Sequence, residues 1–199
     1  MIDTRLTLAR SELILGGQKS GKSRRAELLA GAWLARSPTH QALLIATAQP
    51  WDDEMRERIA RHQTDRAARV PRMATVEEPR ALAQALAQHS RADTLVVVDC
   101  LTLWLTNWMM PVAPALVEPD RDSAAAAAAH TSLLLKAIAA APGPVVLVGN
   151  EIGLGVIPLG AEVRAFVDAL GRLNQDVAAV CQRVTLMAAG LPLTLKDEP

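Results

Sequence analysis

The sequence predicts an α/β fold with an open, mostly parallel sheet covered by helices on both faces. Short runs rich in Val, Ile and Leu alternate with longer Ala-, Arg- and Glu-rich stretches of helical periodicity. Several runs are apolar on both faces, as buried parallel strands are. Half of the 199 residues are apolar, so we expect a single domain over residues 1–199 with an N-terminal extension of residues 1–11.

Seven strands are predicted from the apolar runs. They fall at residues 12–15, 42–46, 73–76, 94–98, 145–148, 183–188 and 191–195. Alternation with helices predicts parallel pairing for most of them, because a helix provides the crossover that parallel neighbours need. A short connection at Gly190 joins the last two strands, so this pair is expected to form a hairpin with an antiparallel edge strand.

Six helices are predicted at residues 21–35, 52–66, 79–89, 101–110, 123–140 and 161–181. The second helix carries acids in its first turn and bases later, which the helix dipole favours. The fifth begins with a run of alanines, the residue that costs least in a helix. The segment at residues 111–122 contains proline and acidic breaks and is predicted to be a loop.

Composition excludes several classes of function. Basic and acidic residues each number 21, so the formal charge is zero and we expect no nucleic-acid partner. Aromatic residues make up 3% of the chain, too few for a base-stacking platform. The apolar stretches are too short to predict a membrane span or an export signal. Cys100 and Cys181 favour a reducing compartment over a disulfide or zinc site, so a cytoplasmic protein is predicted.

One glycine-rich segment predicts a phosphate-binding loop. It follows the first strand, opens the first helix and matches G-x-x-x-x-G-K-[ST] with the residues Gly16, Gly17, Gln18, Lys19, Ser20, Gly21, Lys22 and Ser23. Glycines let backbone N–H groups surround phosphates, and the helix N-terminus adds a positive dipole end. Lys22 is predicted to contact the β- and γ-phosphates and Ser23 to ligate Mg²⁺. Lys19 is either a nucleotide contact or a solvated charge.

A second carboxylate at a neighbouring strand end would hold or orient the Mg²⁺ of such a site. Asp99 ends an apolar strand and would emerge at the carboxyl edge of the sheet, where ligands collect. The alternative is that Asp99 caps the helix that begins at Leu101. Glu151 follows another apolar strand and is the rival carboxylate.

One histidine lies in the charged second helix. Met55, Ile59 and His62 share one face of that helix by their four- and three-residue spacing. Spacing alone favours a half-buried structural histidine over a catalytic one. His40, His89 and His130 have no partner that the sequence identifies, and surface positions are expected for them.

The motifs together resemble one enzyme family from Glu12 almost to the end of the chain. That family is the bifunctional adenosylcobinamide kinase/adenosylcobinamide-phosphate guanylyltransferases of cobalamin biosynthesis. The resemblance rests on residues 16–24, 45–49 and 51–55, on Arg58, Ile59 and His62, and on residues 99–102, 106–107, 150–158 and 171–175. Gln18 and Lys19 stand where the family often has Ala and Arg, outside the Gly, Lys and Ser positions that the loop requires.

The resemblance implies a P-loop NTPase (RecA-like) three-layer fold, a homotrimer and two activities. ATP or GTP would phosphorylate the aminopropanol hydroxyl of adenosylcobinamide. GMP would then pass from GTP to adenosylcobinamide phosphate through a GMP-histidine, with release of pyrophosphate. The family pattern carries the nucleophile role onto His62, and a neutral imidazole nitrogen can attack an α-phosphorus.

The resemblance also implies the nucleotide contacts. These are the loop from Gly16 to Ser23, then Thr47, Ala48, Gln49, Gln63, Thr64, Asp65, Arg66, Glu77 and Asp99. Glu77 is preferred to its neighbour Glu78 by alignment. Because the P-loop binds β- and γ-phosphates while His62 attacks the α-phosphorus, we expect either the second helix or the nucleotide to move.

The sequence leaves two other functions as alternatives. A small-molecule P-loop kinase without nucleotidyl transfer would make His62 dispensable. A nucleotide switch or RecA-like motor acting on nucleic acid or protein is disfavoured by the balanced charge, the scarcity of aromatics and the lack of an Asn-Lys-x-Asp guanine motif.

Overall fold

A computed structural model describes residues 6–110, 123–156 and 158–198, and these contain seven strands and six helices. The predicted loop at 111–122 and the first five residues of the N-terminal extension lie outside the described residues. The strands are β1 (Ser11–Gly16), β2 (Gln41–Ala46), β3 (Met73–Glu77), β4 (Thr94–Asp99), β5 (Val145–Val148), β6 (Arg183–Ala188) and β7 (Leu191–Asp197). The helices are α1 (Lys22–Arg36), α2 (Asp53–Arg69), α3 (Leu82–His89), α4 (Leu101–Met109), α5 (Ser123–Ala140) and α6 (Ala161–Val180).

All seven strands form one sheet in the order β3-β2-β4-β5-β1-β6-β7. Every neighbouring pair is parallel except β6 and β7, which pair antiparallel. The predicted α/β fold, the mostly parallel sheet and the antiparallel edge hairpin are therefore confirmed. In this order β5 separates β1, which leads into the P-loop, from β4, which ends at Asp99.

The central strands bury both of their faces in two separate cores. Leu13 and Leu15 of β1 pack on the side covered by α3, α4, α5 and α6. Ile14, between them, packs on the opposite side against α1. Side chains alternate between the two faces of a strand, so a continuous apolar run fills both cores. The result is the three-layer arrangement, with helices on both sides of the sheet.

Two helix boundaries differ from the predicted ones by three residues, for identifiable reasons. α2 runs three residues further than predicted, to Arg69, whose guanidinium bonds Glu27 of α1 at 3.0 Å and Asp65 at 3.3 Å. α3 begins at Leu82 instead of residue 79. Before it, Glu78 Oε1 accepts backbone N–H groups from Arg80 and Ala81 at 2.9 and 2.7 Å, which holds these residues in a turn.

Two neighbouring leucines of α5, one buried and one exposed, allow the packing of the core to be tested. Leu134 is fully buried, whereas its neighbour Leu133 is 51% exposed. Leu134→Ala is expected to lower the free energy of unfolding by about 2–5 kcal/mol, because it removes buried methyl groups and leaves a cavity. Leu133→Ala should change it by less than about 0.5 kcal/mol. Denaturant titration of both variants measures the difference, and equal losses would contradict this packing.

Candidate active site

The P-loop folds around two glycines with conformations that a side chain would obstruct. Gly16 has φ +151°, and a Cβ there would lie 2.5 Å from the carbonyl oxygen of Met187. Gly21 has φ +102° and directly precedes α1. The glycines thus allow the chain to turn from β1 into α1 with its backbone N–H groups available to an anion. Lys19 lies exposed in the turn, with φ +56°.

A buried serine hydroxyl in this loop fits an oxygen-rich ligand. Ser20 Oγ is buried and has no hydrogen-bond partner among the described residues. It lies 2.6 Å from the position that a Cβ of Gly16 would occupy, so it points into the space that this glycine leaves open. Buried polar atoms in proteins are normally satisfied, and a phosphate oxygen would satisfy this one.

Lys22 is held inside the loop. Its side chain is buried, and Nζ donates a hydrogen bond to the Gly17 carbonyl oxygen at 2.7 Å. Burial lowers the pKa of the Lys22 ammonium group; Cys100 and Asp99 act to raise it, and Arg58 of α2 acts to lower it. Burial also raises the pKa of the Cys100 thiol to about 11. The carboxylate of Asp99 is therefore the negative charge that faces Lys22 at neutral pH.

The structure distinguishes between the two carboxylates at the sheet edge. Ser23 Oγ donates to Asp99 Oδ2 at 3.1 Å, so Asp99 faces the P-loop. Glu151 Oε1 instead accepts the backbone N–H of Gly153 at 2.7 Å, within its own segment. Asp99 also does not cap α4, since the N-cap there is Cys100. This geometry favours Asp99 over Glu151 as the partner of the P-loop serine.

The Ser23 and Asp99 pair suits a magnesium ion in its donor chemistry. A hydroxyl and a carboxylate oxygen are hard donors, and Mg²⁺ bound with a nucleotide takes few protein ligands besides phosphates and water. In the described ranges no group of three or more His, Cys, Asp or Glu side chains is close enough to hold a metal. A nucleotide-associated ion needs no such cluster.

The end of β2 is tied to the end of β4. Thr47 is fully buried; its N–H donates to Asp99 O at 3.1 Å, and its hydroxyl donates to Cys100 O at 2.7 Å. Asn107 Nδ2 braces the same turn by donating to Thr47 O at 2.8 Å. Thr47 thus fixes the backbone at Asp99 and Cys100. Ala48 and Gln49, which follow Thr47 at the same edge of the sheet, are half-buried.

Helix α2 turns one face toward α1 and the P-loop. Arg58, His62, Asp65 and Arg69 follow one another at intervals of four, three and four residues, so they form one stripe along the helix. Arg69 bonds Glu27 of α1 at the end of the stripe, and the charge of Arg58 acts on Lys22 near its beginning. His62 lies between them and is exposed. Spacing alone predicted that the His62 side chain would be half-buried, and this prediction is wrong.

The remaining predicted contacts lie around α2 and the sheet edge. Gln63, Thr64 and Asp65 are exposed, while Arg66 is half-buried and donates to Thr75 Oγ1 of β3 at 3.4 Å. Glu77 is exposed at the end of β3, opposite Ala46 of β2. Because Glu78 caps the turn before α3, Glu77 has the freer carboxylate, which supports its choice over Glu78.

Sequence reasoning did not single out Arg58 for a role of its own. The available signal was its position four residues before His62, which places both side chains on one helix face. The sequence did not indicate whether that face of α2 is turned toward the P-loop. The Arg69–Glu27 contact supplies it, because it shows which side of α2 lies against α1.

Fold and site together define a P-loop nucleotide-binding enzyme of the α/β class. In fold the chain is similar to the flagellar accessory protein FlaH from Methanocaldococcus jannaschii, with a TM-score of 0.50 at 10% identity, over 96% of this chain and 80% of that one. This likeness concerns the fold alone.

Similarity of sequence shows the family. The family model described as cobinamide kinase / cobinamide phosphate guanyltransferase matches residues 12–195. The bifunctional adenosylcobalamin biosynthesis protein CobP of Pseudomonas aeruginosa is 46% identical over 94% of this chain and 98% of its own length. The bifunctional adenosylcobalamin biosynthesis protein CobU of Escherichia coli is 35% identical over 92% of this chain and 98% of its own length. The chain therefore belongs to the cobinamide kinase / cobinamide phosphate guanylyltransferase family and is a bifunctional transferase.

Within the described ranges, no helix combines the length and the apolar character that crossing a membrane requires.

The two edge carboxylates give a paired test. Asp99→Asn keeps the shape of the side chain but removes the charge that faces Ser23 and Lys22, so kcat for cobinamide phosphorylation is expected to fall about a hundredfold. Glu151→Gln should change it by less than about threefold, because that side chain bonds its own segment. Steady-state kinase assays compare the variants, and a larger loss in Glu151→Gln would reverse the assignment.

Arg58 gives a second paired test. Arg58→Ala is expected to raise the Kd for GTP about tenfold, because it removes a positive charge that faces the phosphate site. Arg56→Ala is the control, since Arg56 pairs with Asp53 on another face of α2. Calorimetric titration with GTP and with guanosine measures the effect. An equal loss of guanosine affinity would show that Arg58 does not act on the phosphates.

Proposed function

We propose that the two activities proceed at this one nucleotide site, with GMP carried between substrates on His62. The observation that supports it is the stripe on α2, where His62 lies between Arg58, whose charge reaches Lys22, and Arg69, which bonds α1. A nucleotide bound to the P-loop would have its phosphates beside this face. His62 is the histidine that α2 carries, and His89 and His130 belong to α3 and α5.

In the kinase step the P-loop holds the triphosphate of ATP or GTP. The hydroxyl oxygen of the aminopropanol arm of adenosylcobinamide bonds to the γ-phosphorus, the bond to the β-phosphate oxygen breaks, the hydroxyl proton is lost and the nucleoside diphosphate leaves. Lys22 and the backbone N–H groups of the loop stabilise the negative charge of the transferred group. Ser23 and Asp99 would hold Mg²⁺, which neutralises phosphate charge when it is bound.

In the guanylyl step the neutral imidazole of His62 attacks the α-phosphorus of GTP. A phosphorus–nitrogen bond forms, the bond to the β-phosphate oxygen breaks and pyrophosphate leaves. A phosphate oxygen of adenosylcobinamide phosphate then bonds to the same phosphorus, the phosphorus–nitrogen bond breaks, and His62 is regenerated with adenosylcobinamide-GDP as product. The covalent intermediate divides one difficult transfer into two easier ones.

The attachment of α2 supports a movement between the two steps. No residue of α2, which is described throughout, is buried. Its first turn is tied only to the adjoining segment, by Arg56 Nη1 donating to Pro50 O at 3.3 Å. Its side-chain hydrogen bonds to other elements, Arg69 to Glu27 and Arg66 to Thr75, lie toward its C-terminal end. The end that carries Arg58 and His62 can therefore shift at small energetic cost. An unchanged His62, already at bonding distance from the α-phosphorus, in both nucleotide-free and GTP-bound structures would contradict this movement.

A homotrimer is part of this proposal, as the family resemblance implies. The edge strand β7 exposes Leu191, Leu193 and Leu195, which is apolar surface that an assembly would cover.

The intermediate can be tested by trapping it. The protein is mixed with Mg²⁺ and α-labelled GTP and then denatured, and the label is expected to stay on the protein with the acid lability and alkali stability of a phosphoramidate. His62→Ala should abolish labelling, and His89→Ala, on a different helix, should retain it. Phosphorylation of adenosylcobinamide without any labelling would refute the GMP-histidine and leave a kinase alone.

A further inference from the structure

A cavity of about 520 Å³ opens between α6 and the segment that follows β5. Its size is in the range of small-molecule sites. The wall formed by the segment after β5 contains the aliphatic Ile152 and Val156. The wall formed by α6, which we call the polar wall, contains Asp168, Arg172 and Gln175 beside Val167. None of the roles assigned above uses these residues.

The cavity is a direct neighbour of the P-loop. The backbone N–H of Glu151 donates to the carbonyl oxygen of Gly16, the first residue of the loop, at 3.1 Å. Asn174 Nδ2 of α6 donates to Asn150 O at 3.1 Å, which fixes the start of the same segment against the helix. A molecule in the cavity would therefore lie next to the nucleotide phosphates, in the crevice at the carboxyl ends of the strands.

The polar wall offers both hydrogen-bond donors and acceptors. Asp168 and Arg172 lie one helical turn apart on α6, and neither takes part in an ion pair among the described residues. The nearby Arg164 is already engaged with the carbonyl oxygens of Pro158 and Leu159. A carboxylate beside the arginine disfavours a simple anion, whereas primary amides use donors and acceptors together.

We propose that this cavity binds one edge of the corrinoid acceptor. Such an acceptor presents an apolar macrocycle edged by primary amide side chains, which matches an aliphatic wall facing Asp168, Arg172 and Gln175. The cavity is smaller than a whole corrinoid, so the rest of the ring extends outward past exposed Leu154. This inference rests on the proposed function, and it places the acceptor's phosphorylated arm toward the P-loop.

Gly171 provides a way to fill the cavity without disturbing the fold. It lies on α6 and lines the cavity, and a Cβ built on it meets no atom within 4 Å. Gly171→Leu would therefore enter open space, and leucine is a better helix former than glycine. Gly31→Leu on α1 is the matched control, because Gly31 also has no atom within 4 Å of its Cβ position and does not line the cavity.

The test compares acceptor binding with acceptor-independent labelling. Gly171→Leu is expected to raise KM for adenosylcobinamide about tenfold or more, while covalent labelling by α-labelled GTP, which needs no acceptor, stays unchanged. Gly31→Leu should change neither quantity, and thermal unfolding confirms that both variants fold.

Two results would overturn the inference. An unchanged KM in Gly171→Leu would show that the acceptor does not enter the cavity, and a loss of GTP labelling in that variant would assign the cavity to the nucleotide. If the unaltered protein phosphorylates adenosylcobinamide but is never labelled, the GMP-histidine proposal fails by itself. The KM comparison then still decides the occupant of the cavity.

Discussion

The hydrogen bond between Ser23 and Asp99 joins two parts of the chain that are 76 residues apart, and the arrangement of the candidate site at the sheet edge depends on it. It forms because β1, β5 and β4 lie side by side in fixed register, with Ile14 opposite Val148 and Val148 opposite Asp99. Parallel ladders set the heights of neighbouring strand ends relative to one another. The two buried cores hold that register, so core packing directly positions the Ser23 and Asp99 oxygens relative to the P-loop.

The same edge concentrates positive charge in a chain whose net charge is zero. Burial makes the Lys22 ammonium group costly to keep charged, Arg58 adds a second cation nearby, and Asp99 offers the opposing charge. Nucleotide phosphates would supply the missing negative charge at a place with little competing water. The tightly packed body thus prepares the phosphate site, while α2, with no buried residue along its length, carries His62, the side chain that the proposed mechanism brings to the α-phosphorus.

The apolar strands could be predicted from the sequence because burial on both faces leaves an unambiguous composition, as in β4 and β5. The P-loop could also be predicted, since its local geometry requires the particular residues Gly16 and Gly21. Helix ends were less predictable. The end of α2 depends on Glu27 from another helix, and the start of α3 depends on how the Glu78 side chain folds back onto the backbone. Neither interaction has a local sequence pattern.

By itself, the sequence determined the fold class, the order of strands and helices along the chain, the phosphate loop and, through family motifs, the family with its two activities. These follow from local residue types, because glycines, continuous apolar runs and a lysine–serine pair act over a few neighbouring residues. Only the tertiary structure decided that Asp99 and not Glu151 faces Ser23, that Arg58 and His62 share the face of α2 turned to the loop, and that a cavity opens beside it. Those outcomes depend on which strands become neighbours and how helices rotate against them, and such long-range packing has no short-range signature.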